Sequence, residues 1–380
     1  MLHKSIAFLL ALFSFISCKE ERKQPKTVNS HGTALTIKYA KGFTVMDYGD
    51  HKILEITKPW QDAEESFKYL LLFKSFEPKN WSNSFDGFIK TPIKNIVVTS
   101  TTHIPALELL GVENTLVGFP ETNYISSQKT RRLIEEGNVV ELGKNEGINT
   151  EVLLNLNPDL VVGFGINGTN KTFENIKKSG IPVIYNGDWM ETSPLAKAEW
   201  IKFFGVLFNK ETVADSIFNQ IEINYLEAKK LAQKAKKQPT VLSGAMHKDI
   251  WYLPNGNSTE AEFLKDANVH YLWNDTDGSG SLALSFESVF DTAQNADIWL
   301  NPSNFATYDA LEKANPHYTK FKAFTNKNIF TINNTKGDTG GVLYYESGMA
   351  RPDWVLKDLI KICHPDILPD YEPYFFKPLK

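Results

Sequence analysis

Short hydrophobic runs, many of them rich in β-branched and aromatic residues, dominate the chain between residues 31 and 92. They are interrupted by turns such as Gly42 and Gly49-Asp50, and this pattern is typical of strands joined by tight loops. The strands that it predicts cover residues 36–39, 43–47, 53–56 and 67–73. We therefore expect a small β-rich appendage over residues 31–92.

From Ile93 the pattern changes to short buried-strand runs that alternate with helical stretches. The predicted strands cover residues 96–99, 116–119, 160–162 and 182–185, and the predicted helices cover residues 105–110, 150–156 and 172–179. The alternation resumes after Pro239, with strands at 240–242, 298–300 and 329–332 and helices at 259–267 and 354–362. This spacing predicts two Rossmann-like α/β lobes with mainly parallel sheets, over residues 93–209 and 239–380.

A helical region separates the two α/β stretches. Residues 194–208 carry apolar side chains on one face, and residues 210–237 contain neither proline nor glycine. At about 1.5 Å per residue the second stretch predicts a helix about 42 Å long. Lysines at its C-terminal end suit the helix dipole, so we expect a linking helix over residues 210–238.

The N-terminus has the pattern of an export signal. Lys4 precedes an apolar core over residues 6–16, which is too short to span a bilayer because a helical span takes roughly 20 residues. The Ser17-Cys18 pair that follows resembles the cleavage site of a bacterial lipoprotein. The resemblance implies that residues 1–17 are removed, that Cys18 is lipidated and that residues 18–30 form a polar tether. An ordinary signal with an incidental cysteine is the alternative.

Composition and charge narrow the classes of function. The chain has 41 Lys+Arg and 45 Asp+Glu residues and a formal net charge of −4, which argues against a nucleic-acid partner. Two cysteines are too few for a disulfide framework, a cysteine-based zinc site or an iron–sulfur cluster. The histidines are scattered without paired ligand spacing, so we expect no metal bound directly by the protein.

A related motif occurs in each lobe. Asn149-Thr150-Glu151 and Ser285-Phe286-Glu287 both place a capping residue two positions before a glutamate, and a short apolar helix follows. Asparagine and serine are good N-caps, and a carboxylate in the first turn suits the helix dipole. Glu151 and Glu287 are therefore either helix-start residues only, or a matched pair of exposed acids that docks a symmetric basic partner.

Three further segments carry a resemblance to a known family. They are residues 109–118 (LLGVENTLVG), 147–161 (GINTEVLLNLNPDLV) and 180–183 (GIPV). Together with the two lobes, the linking helix and the lipoprotein signal, they resemble the periplasmic substrate-binding proteins of bacterial ABC importers. The helical linker points to the class that serves ferric siderophores, vitamin B12 and haem. The resemblance covers residues 93–363 and leaves the β-rich appendage unassigned.

This resemblance implies a function and partners. A protein of the cell envelope, held at the membrane by its lipid anchor alone, would capture an iron–siderophore complex between its lobes and deliver it to an ABC permease dimer with its ATPase. Vitamin B12 and haem are the alternative ligands. Glu151 and Glu287 would engage arginines of the permease. The resemblance implies neither catalysis nor a resident cofactor.

Two other classes of protein remain open. One is an exported two-lobed enzyme and the other is a surface adhesin that uses the β-rich appendage. The sequence contains no nucleophile-elbow, zinc-helix or phosphate-loop signature. The matched glutamates are what an importer's binding protein needs and the other two classes do not.

Ligands of such a fold lie beyond the carboxyl ends of the strands, so the loops after predicted strands hold the candidate contacts. Aromatic side chains offer contact area and arginine offers a bidentate fork, which suits a large, flat, partly anionic chelate. The candidate ligand-binding residues are Thr101, Thr102, His103, Phe164, Trp189, Trp251, Tyr252, Trp273, Tyr344 and Arg351.

Some of these candidates have open alternatives. Trp189 and Trp251 are expected on loops because glycine, aspartate or proline residues lie near them. Arg351 is either a ligand contact or an intramolecular partner. His103 is either an axial haem ligand or a hydrogen-bonding residue.

Overall fold

The computed structural model describes residues 32–73, 84–145 and 147–380. The expected signal at residues 1–17, the lipidated Cys18 and the tether at residues 18–30 lie outside the described residues.

The β-rich appendage is a single sheet in the described residues. Its strands are β1 (Thr33–Ala34), β2 (Phe43–Asp47), β3 (His51–Ile56), β4 (Phe67–Leu72) and β5 (Gly87–Lys90). They are hydrogen-bonded in chain order, antiparallel except for the parallel pair β4–β5. The predicted strand at residues 36–39 is wrong. Backbone N–H groups of Lys38, Tyr39 and Ala40 donate to the Glu199 carboxylate instead of to a neighbouring strand.

The N-terminal lobe is built on a parallel sheet with the order β12-β11-β6-β7-β8. A small antiparallel pair, β9–β10, lies beside it. Its strands are β6 (Ile96–Val98), β7 (Leu116–Phe119), β8 (Val140–Glu141), β9 (Gly143–Lys144), β10 (Gly147–Ile148), β11 (Leu160–Gly163) and β12 (Val183–Tyr185). Its helices are α1 (Ile104–Leu109), α2 (Gln128–Glu135), α3 (Thr150–Leu156), α4 (Lys171–Lys178), α5 (Pro194–Glu199) and α6 (Ile201–Leu207).

The linking helix is α7 (Glu211–Ala232), which has 22 residues and a length of about 33 Å. It is shorter than the predicted helix over residues 210–237. Ala228 and Ala232 are buried, whereas the lysines from Lys234 to Lys237 follow the last buried turn. A helix in a protein is stabilised mainly by packing of its apolar face, so α7 ends where that face ends.

The C-terminal lobe repeats the α/β plan. Its main sheet has the order β16-β13-β18-β19-β20, parallel except for β20, and an antiparallel sheet β14-β15-β17 lies apart from it. The strands are β13 (Thr240–Ser243), β14 (Ala245–His247), β15 (Ile250–Pro254), β16 (His270–Tyr271), β17 (Ser281–Leu284), β18 (Ile298–Leu300), β19 (Ile329–Thr331) and β20 (Lys377–Pro378). The helices are α8 (Thr259–Asp266), α9 (Phe286–Ala293), α10 (Tyr308–Ala314), α11 (Lys322–Thr325) and α12 (Pro352–Cys363).

The appendage shares a hydrophobic core with the N-terminal lobe. Phe43 of β2 packs on Trp200 with their ring centres 4.6 Å apart, and on Phe203 at 6.1 Å. Leu54 of β3 and Tyr69 of β4 belong to the same buried cluster. The sheet is therefore an integral layer of the lobe, which the sequence did not predict.

Buried carboxylates hold the segment between β1 and β2. Glu199 is fully buried, accepts hydrogen bonds of 2.6 to 2.9 Å from the backbone of residues 38–40, and pairs with Lys202 at 3.0 Å. Glu191 accepts the backbone N–H groups of residues 41–42 at 2.8 Å each. A buried charge is tolerated when it is fully hydrogen-bonded, and here it orders a segment that no strand pairs.

Replacing Glu199 by alanine is expected to destabilise the protein strongly. Lys202 would lose its buried partner, and three backbone donors would be left without an acceptor, so the free energy of unfolding should fall by about 3–5 kcal/mol. Urea unfolding followed by tryptophan fluorescence measures the change. Glu312→Ala, at an exposed position of α10, is the control. A loss for Glu199→Ala no larger than for this control would contradict the role assigned to Glu199.

Candidate functional site

A cleft between the lobes contains, among the described residues, two adjoining compartments. The lysine compartment has a volume of about 310 Å³ and is lined mainly by Lys197, Thr259, Glu260, Phe263, Tyr344 and Met349. The asparagine compartment has a volume of about 370 Å³ and is lined mainly by Phe119, Glu121, Tyr124, Asn145, Phe164, Asn304 and Asn333. Ser100, Thr101 and Tyr345 line both compartments and form the wall between them.

The wall between the compartments comes from one element of each lobe. In the N-terminal lobe, a short 3₁₀ turn at Thr101–His103 follows β6, and the Ser100 side chain caps it by accepting the Thr102 N–H. In the C-terminal lobe, a π-helix at Tyr344–Gly348 precedes α12. The Thr101 hydroxyl donates to the Tyr345 carbonyl across the cleft at 3.4 Å. These two irregular helical turns thus bring polar groups of both lobes into contact.

The lysine compartment contains a half-buried ammonium group. Lys197 Nζ donates to the Trp189 carbonyl at 2.7 Å. Burial lowers the pKa of Lys197, and the nearby carboxylates of Asp188, Glu260 and Glu191 partly offset this effect. The ammonium is therefore held mainly by groups of the protein itself.

The asparagine compartment is aromatic and amide-rich. Tyr124 and Tyr345 are each 59% exposed and offer ring surfaces to a ligand. Asn145 Nδ2 donates to the Thr99 carbonyl at 2.7 Å, and Asn333 Nδ2 donates to the Ser303 carbonyl at 2.6 Å. These bonds commit amide N–H groups of both asparagines and leave their carbonyl oxygens as acceptors.

Four of the sequence-predicted ligand residues line the cleft. Thr101 and Thr102 come from the turn after β6, Phe164 from the loop after β11, and Tyr344 from the π-helix. His103 lies directly beneath, fully buried, with Nε2 3.9 Å from Asp188 Oδ2. Burial lowers the pKa of His103, against an opposing effect of Asp188.

Two predicted tryptophans lie in the core of the C-terminal lobe instead. Trp251 is fully buried in β15, its Nε1 donates to the Ser243 carbonyl at 3.0 Å, and its ring stacks on Trp299 at 5.5 Å. The expectation that Trp251 lies on a loop is therefore wrong. Trp273 is 7% exposed and packs near Tyr271. Aromatic side chains fill this core because they bury the largest apolar area.

The remaining predicted ligand-binding residues are not among the described residues that line the two compartments. Tyr252 is 42% exposed on β15. Trp189 lies in the connection between β12 and α5, within a 3₁₀ turn at Asp188–Met190, and its carbonyl accepts a hydrogen bond from the ammonium of the lysine compartment. Arg351 makes a bidentate pair with Asp353 at 2.9 and 2.7 Å and stacks 3.6 Å from the centre of a Trp354 ring. Of its two alternatives, the structure favours the intramolecular partner.

Sequence reasoning missed several cleft residues, chiefly Lys197, Glu260, Asn145, Asn304 and Asn333. Asn304 and Asn333 follow β18 and β19, at the carboxyl ends where ligands of such sheets bind. Their positions after strand ends were therefore recognisable, but a flat, partly anionic chelate predicts aromatic and arginine contacts and not amides. Lys197 and Glu260 lie inside helices α5 and α8, and nothing in the sequence shows which helix faces meet across the cleft.

A clasp of hydrogen bonds joins the lobes beside the asparagine compartment. Glu346 of the π-helix is 4% exposed and accepts the backbone N–H groups of Ser126 at 2.5 Å and Ser127 at 2.9 Å. The Ser126 hydroxyl donates to the Gly341 carbonyl at 2.9 Å. Gly341 is required here, because a Cβ atom on it would lie 2.2 Å from the Tyr124 carbonyl oxygen.

Replacing Glu346 by glutamine is expected to weaken the pH dependence of stability. Burial raises the pKa of Glu346 from 4.5 to about 7, although the Ser126 N–H opposes the shift. The raised pKa contributes stability that is complete below pH 4.5 and is lost as the pH rises through 7. Between about pH 5 and pH 8, the wild-type free energy of unfolding should therefore fall by about 2 kcal/mol more than that of the variant.

Urea unfolding across this pH range measures the effect. Glu312→Gln removes an exposed carboxylate and should keep the wild-type pH profile. A Glu346→Gln profile parallel to the wild type would contradict the prediction.

Each lobe also presents one exposed glutamate at a helix start. Glu151 lies in the first turn of α3, which the Asn149 side chain caps through the Val152 N–H. Glu287 lies in the first turn of α9, which the Ser285 side chain caps in the same way. The two motifs are thus equivalent in structure as well as in sequence.

Two kinds of feature are absent from the described residues. In residues 32–73, 84–145 and 147–380, no helix has the length and apolarity that a membrane span requires. Within the same residues, no group of three histidine, cysteine, aspartate or glutamate side chains is placed to hold a metal ion.

The pattern of the periplasmic binding protein family matches residues 96–335, and the chain belongs to that family. This finding confirms the family resemblance predicted from the three sequence segments. The appendage strands β1 to β5 precede the matched region.

Comparison with individual proteins agrees with this assignment. The chain is 25% identical to an uncharacterised lipoprotein of Methanocaldococcus jannaschii over 362 residues, which cover 90% of this chain and 84% of the relative. It is similar in structure to the periplasmic haem-binding protein RhuT of Roseiflexus sp. RS-1, with a TM-score of 0.57, 21% identity and coverage of 72% of this chain and 99% of that one. It is also similar to a possible iron-binding, periplasmic solute-binding protein of Staphylococcus epidermidis, with a TM-score of 0.55, 19% identity and coverage of 72% and 100%. These structures confirm the predicted two-lobed α/β fold.

Proposed function

We propose that this protein is the substrate-binding component of an ABC importer and that it captures an iron–siderophore complex between its lobes. Vitamin B12 and haem are alternative ligands for the same cleft. The observation that carries the proposal is the position of the cleft. In a chain of the periplasmic binding protein family, it lies beyond the carboxyl ends of both parallel sheets, where ligands of such folds bind.

The exposed glutamates support delivery to a permease dimer. Glu151 and Glu287 are at equivalent places in two lobes of similar plan, and a pseudo-symmetric pair of carboxylates complements a partner with two-fold symmetry and basic side chains. The lipoprotein signal at Cys18 supports anchoring at the cell envelope, and the similarity to an archaeal lipoprotein agrees with it.

Ligand binding is tested with the soluble mature chain, produced without Cys18. Isothermal titration with ferric siderophores, cyanocobalamin and haem should give saturable binding to one of these compounds, and free metal ions and plain sugars should give none. Tyr345→Ala removes the aromatic wall between the compartments and should weaken that binding by roughly tenfold to thirtyfold. Tyr252→Ala, an exposed tyrosine outside the cleft, should leave the affinity unchanged. No binding across the panel would refute the proposed ligand class.

Permease docking is tested by charge reversal in the source cells. Glu151→Arg and Glu287→Arg should each reduce uptake of the bound compound about tenfold or more, because a like charge now faces a basic partner. The ligand affinity of the purified variants should stay at the wild-type value. Glu312→Arg, on an exposed turn of α10, is the control. Unchanged uptake in both docking variants would refute the docking role.

A further inference from the structure

The charged side chains of the cleft are predominantly acidic. Among the described residues that line the two compartments, Lys197 is the one cation, whereas Glu121 and Glu260 are both carboxylates. The described lining of the asparagine compartment contains no lysine, arginine or histidine. An anionic ligand in that compartment would therefore find no countercharge on its walls.

The single ammonium already has a partner within the protein. Lys197 Nζ is hydrogen-bonded to the Trp189 carbonyl, and the carboxylates of Asp188, Glu260 and Glu191 lie close enough to oppose the effect of burial on its pKa. A half-buried ammonium of this kind loses its hydrogen bond to the protein if it turns to a ligand. Lys197 is therefore poorly suited to bind a ligand carboxylate or phenolate.

A further carboxylate supports Glu121. Glu141 accepts the backbone N–H groups of Glu121 and Thr122 at 2.8 Å each, and the Thr122 hydroxyl at 2.6 Å. Burial tends to raise the pKa of Glu141, but these hydrogen bonds and that from Gly143 outweigh it and leave the pKa below its ordinary value. Glu141 is thus ionised at neutral pH and adds negative charge at the turn that bears Glu121, where the Arg131 guanidinium, which donates to the Thr122 carbonyl at 2.8 Å, partly offsets it.

Two of the asparagines add more acceptors than donors. Asn145 uses one Nδ2 hydrogen on the Thr99 carbonyl, and Asn333 uses both of its own, on the Ser303 carbonyl and the Thr331 hydroxyl. The amide oxygens of these two residues favour ligand groups that donate hydrogen bonds. The two exposed tyrosines of this compartment, Tyr124 and Tyr345, favour a cation or a neutral ring system over an anion.

We propose that the cleft takes a chelate without net negative charge and discriminates against anionic chelates. The inference rests on the proposed function and narrows its ligand class. A neutral iron(III) trihydroxamate or a neutral corrinoid would contact the lining of the cleft without burying a net negative charge beside its carboxylates. An iron(III) tricatecholate, which is trianionic, or haem with its propionates would be desolvated beside carboxylates, with the hydrogen-bonded Lys197 as the one cation of the described lining. The uncompensated repulsion discriminates against such a chelate.

The test compares chelates of the same metal and different charge. Isothermal titration of the soluble mature chain should give an affinity for a neutral iron(III) trihydroxamate at least about a hundredfold higher than for an iron(III) tricatecholate, since each of several uncompensated charges costs on the order of tenfold. The ratio should shrink as salt is raised from low to high ionic strength, because salt screens the repulsion. Cyanocobalamin and haem form a second pair that differs in charge.

Two substitutions locate the source of the discrimination. Glu121→Gln and Glu260→Gln preserve side-chain size and remove the cleft carboxylates, and together they should lower the affinity ratio about tenfold or more. Glu312→Gln, outside the cleft, should leave the ratio at the wild-type value. Near-ultraviolet circular dichroism checks that the variants are folded. If the double variant is not folded, the affinity ratio of the wild-type protein and its dependence on salt still test the charge discrimination.

The outcomes separate this inference from the proposed function. Tighter binding of the neutral chelate of each pair, with a smaller affinity ratio in the double variant, supports the charge discrimination. Equal or tighter binding of the tricatecholate or of haem overturns the charge discrimination and leaves the importer function standing. Failure of every chelate to bind overturns the proposed function and this inference with it.

Discussion

The parallel pairing of β6, β7 and β11 brings the loops after these strands to one edge of the N-terminal lobe. The pairing of β13, β18 and β19 does the same in the C-terminal lobe. Parallel strands are joined by crossovers, so their carboxyl ends must meet on one side. The cleft depends on this constraint, because Thr101, Phe164, Asn304 and Asn333 each follow such a strand end.

Hydrogen bonds across the cleft hold the two lobes together. The clasp at Glu346 and the contact from Thr101 to the Tyr345 carbonyl both reach the π-helix. A π-helix is rare and is frequently found at functional sites, and here adjacent side chains of the π-helix have different roles. Tyr344 and Tyr345 line the compartments while Glu346 ties the lobes. Opening of the cleft would therefore expose the clasp carboxylate and change both compartments together.

The appendage illustrates a different use of buried charge. Glu199 and Glu191 hold residues 38–42 against the N-terminal lobe through backbone hydrogen bonds. The strand predicted from the sequence over residues 36–39 overlaps this segment. In the cleft, by contrast, Glu121 and Glu260 retain exposure to solvent, and the role that we propose for them is to discriminate against anionic ligands. The same residue type stabilises the fold when backbone donors surround it and selects ligands when they do not.

The amino-acid pattern by itself determined most elements of the core, the family and the two helix-start glutamates, because strand runs, caps and glycine turns are local signals. It also indicated Thr101, Thr102 and Phe164, since strand ends are recognisable from the chain, and Tyr344 in the longer segment after β19. Only the tertiary structure decided that Trp251 belongs to the core and that Lys197 faces the cleft. Burial of an aromatic ring and the meeting of two helix faces depend on residues far apart in the chain, and no local pattern records them.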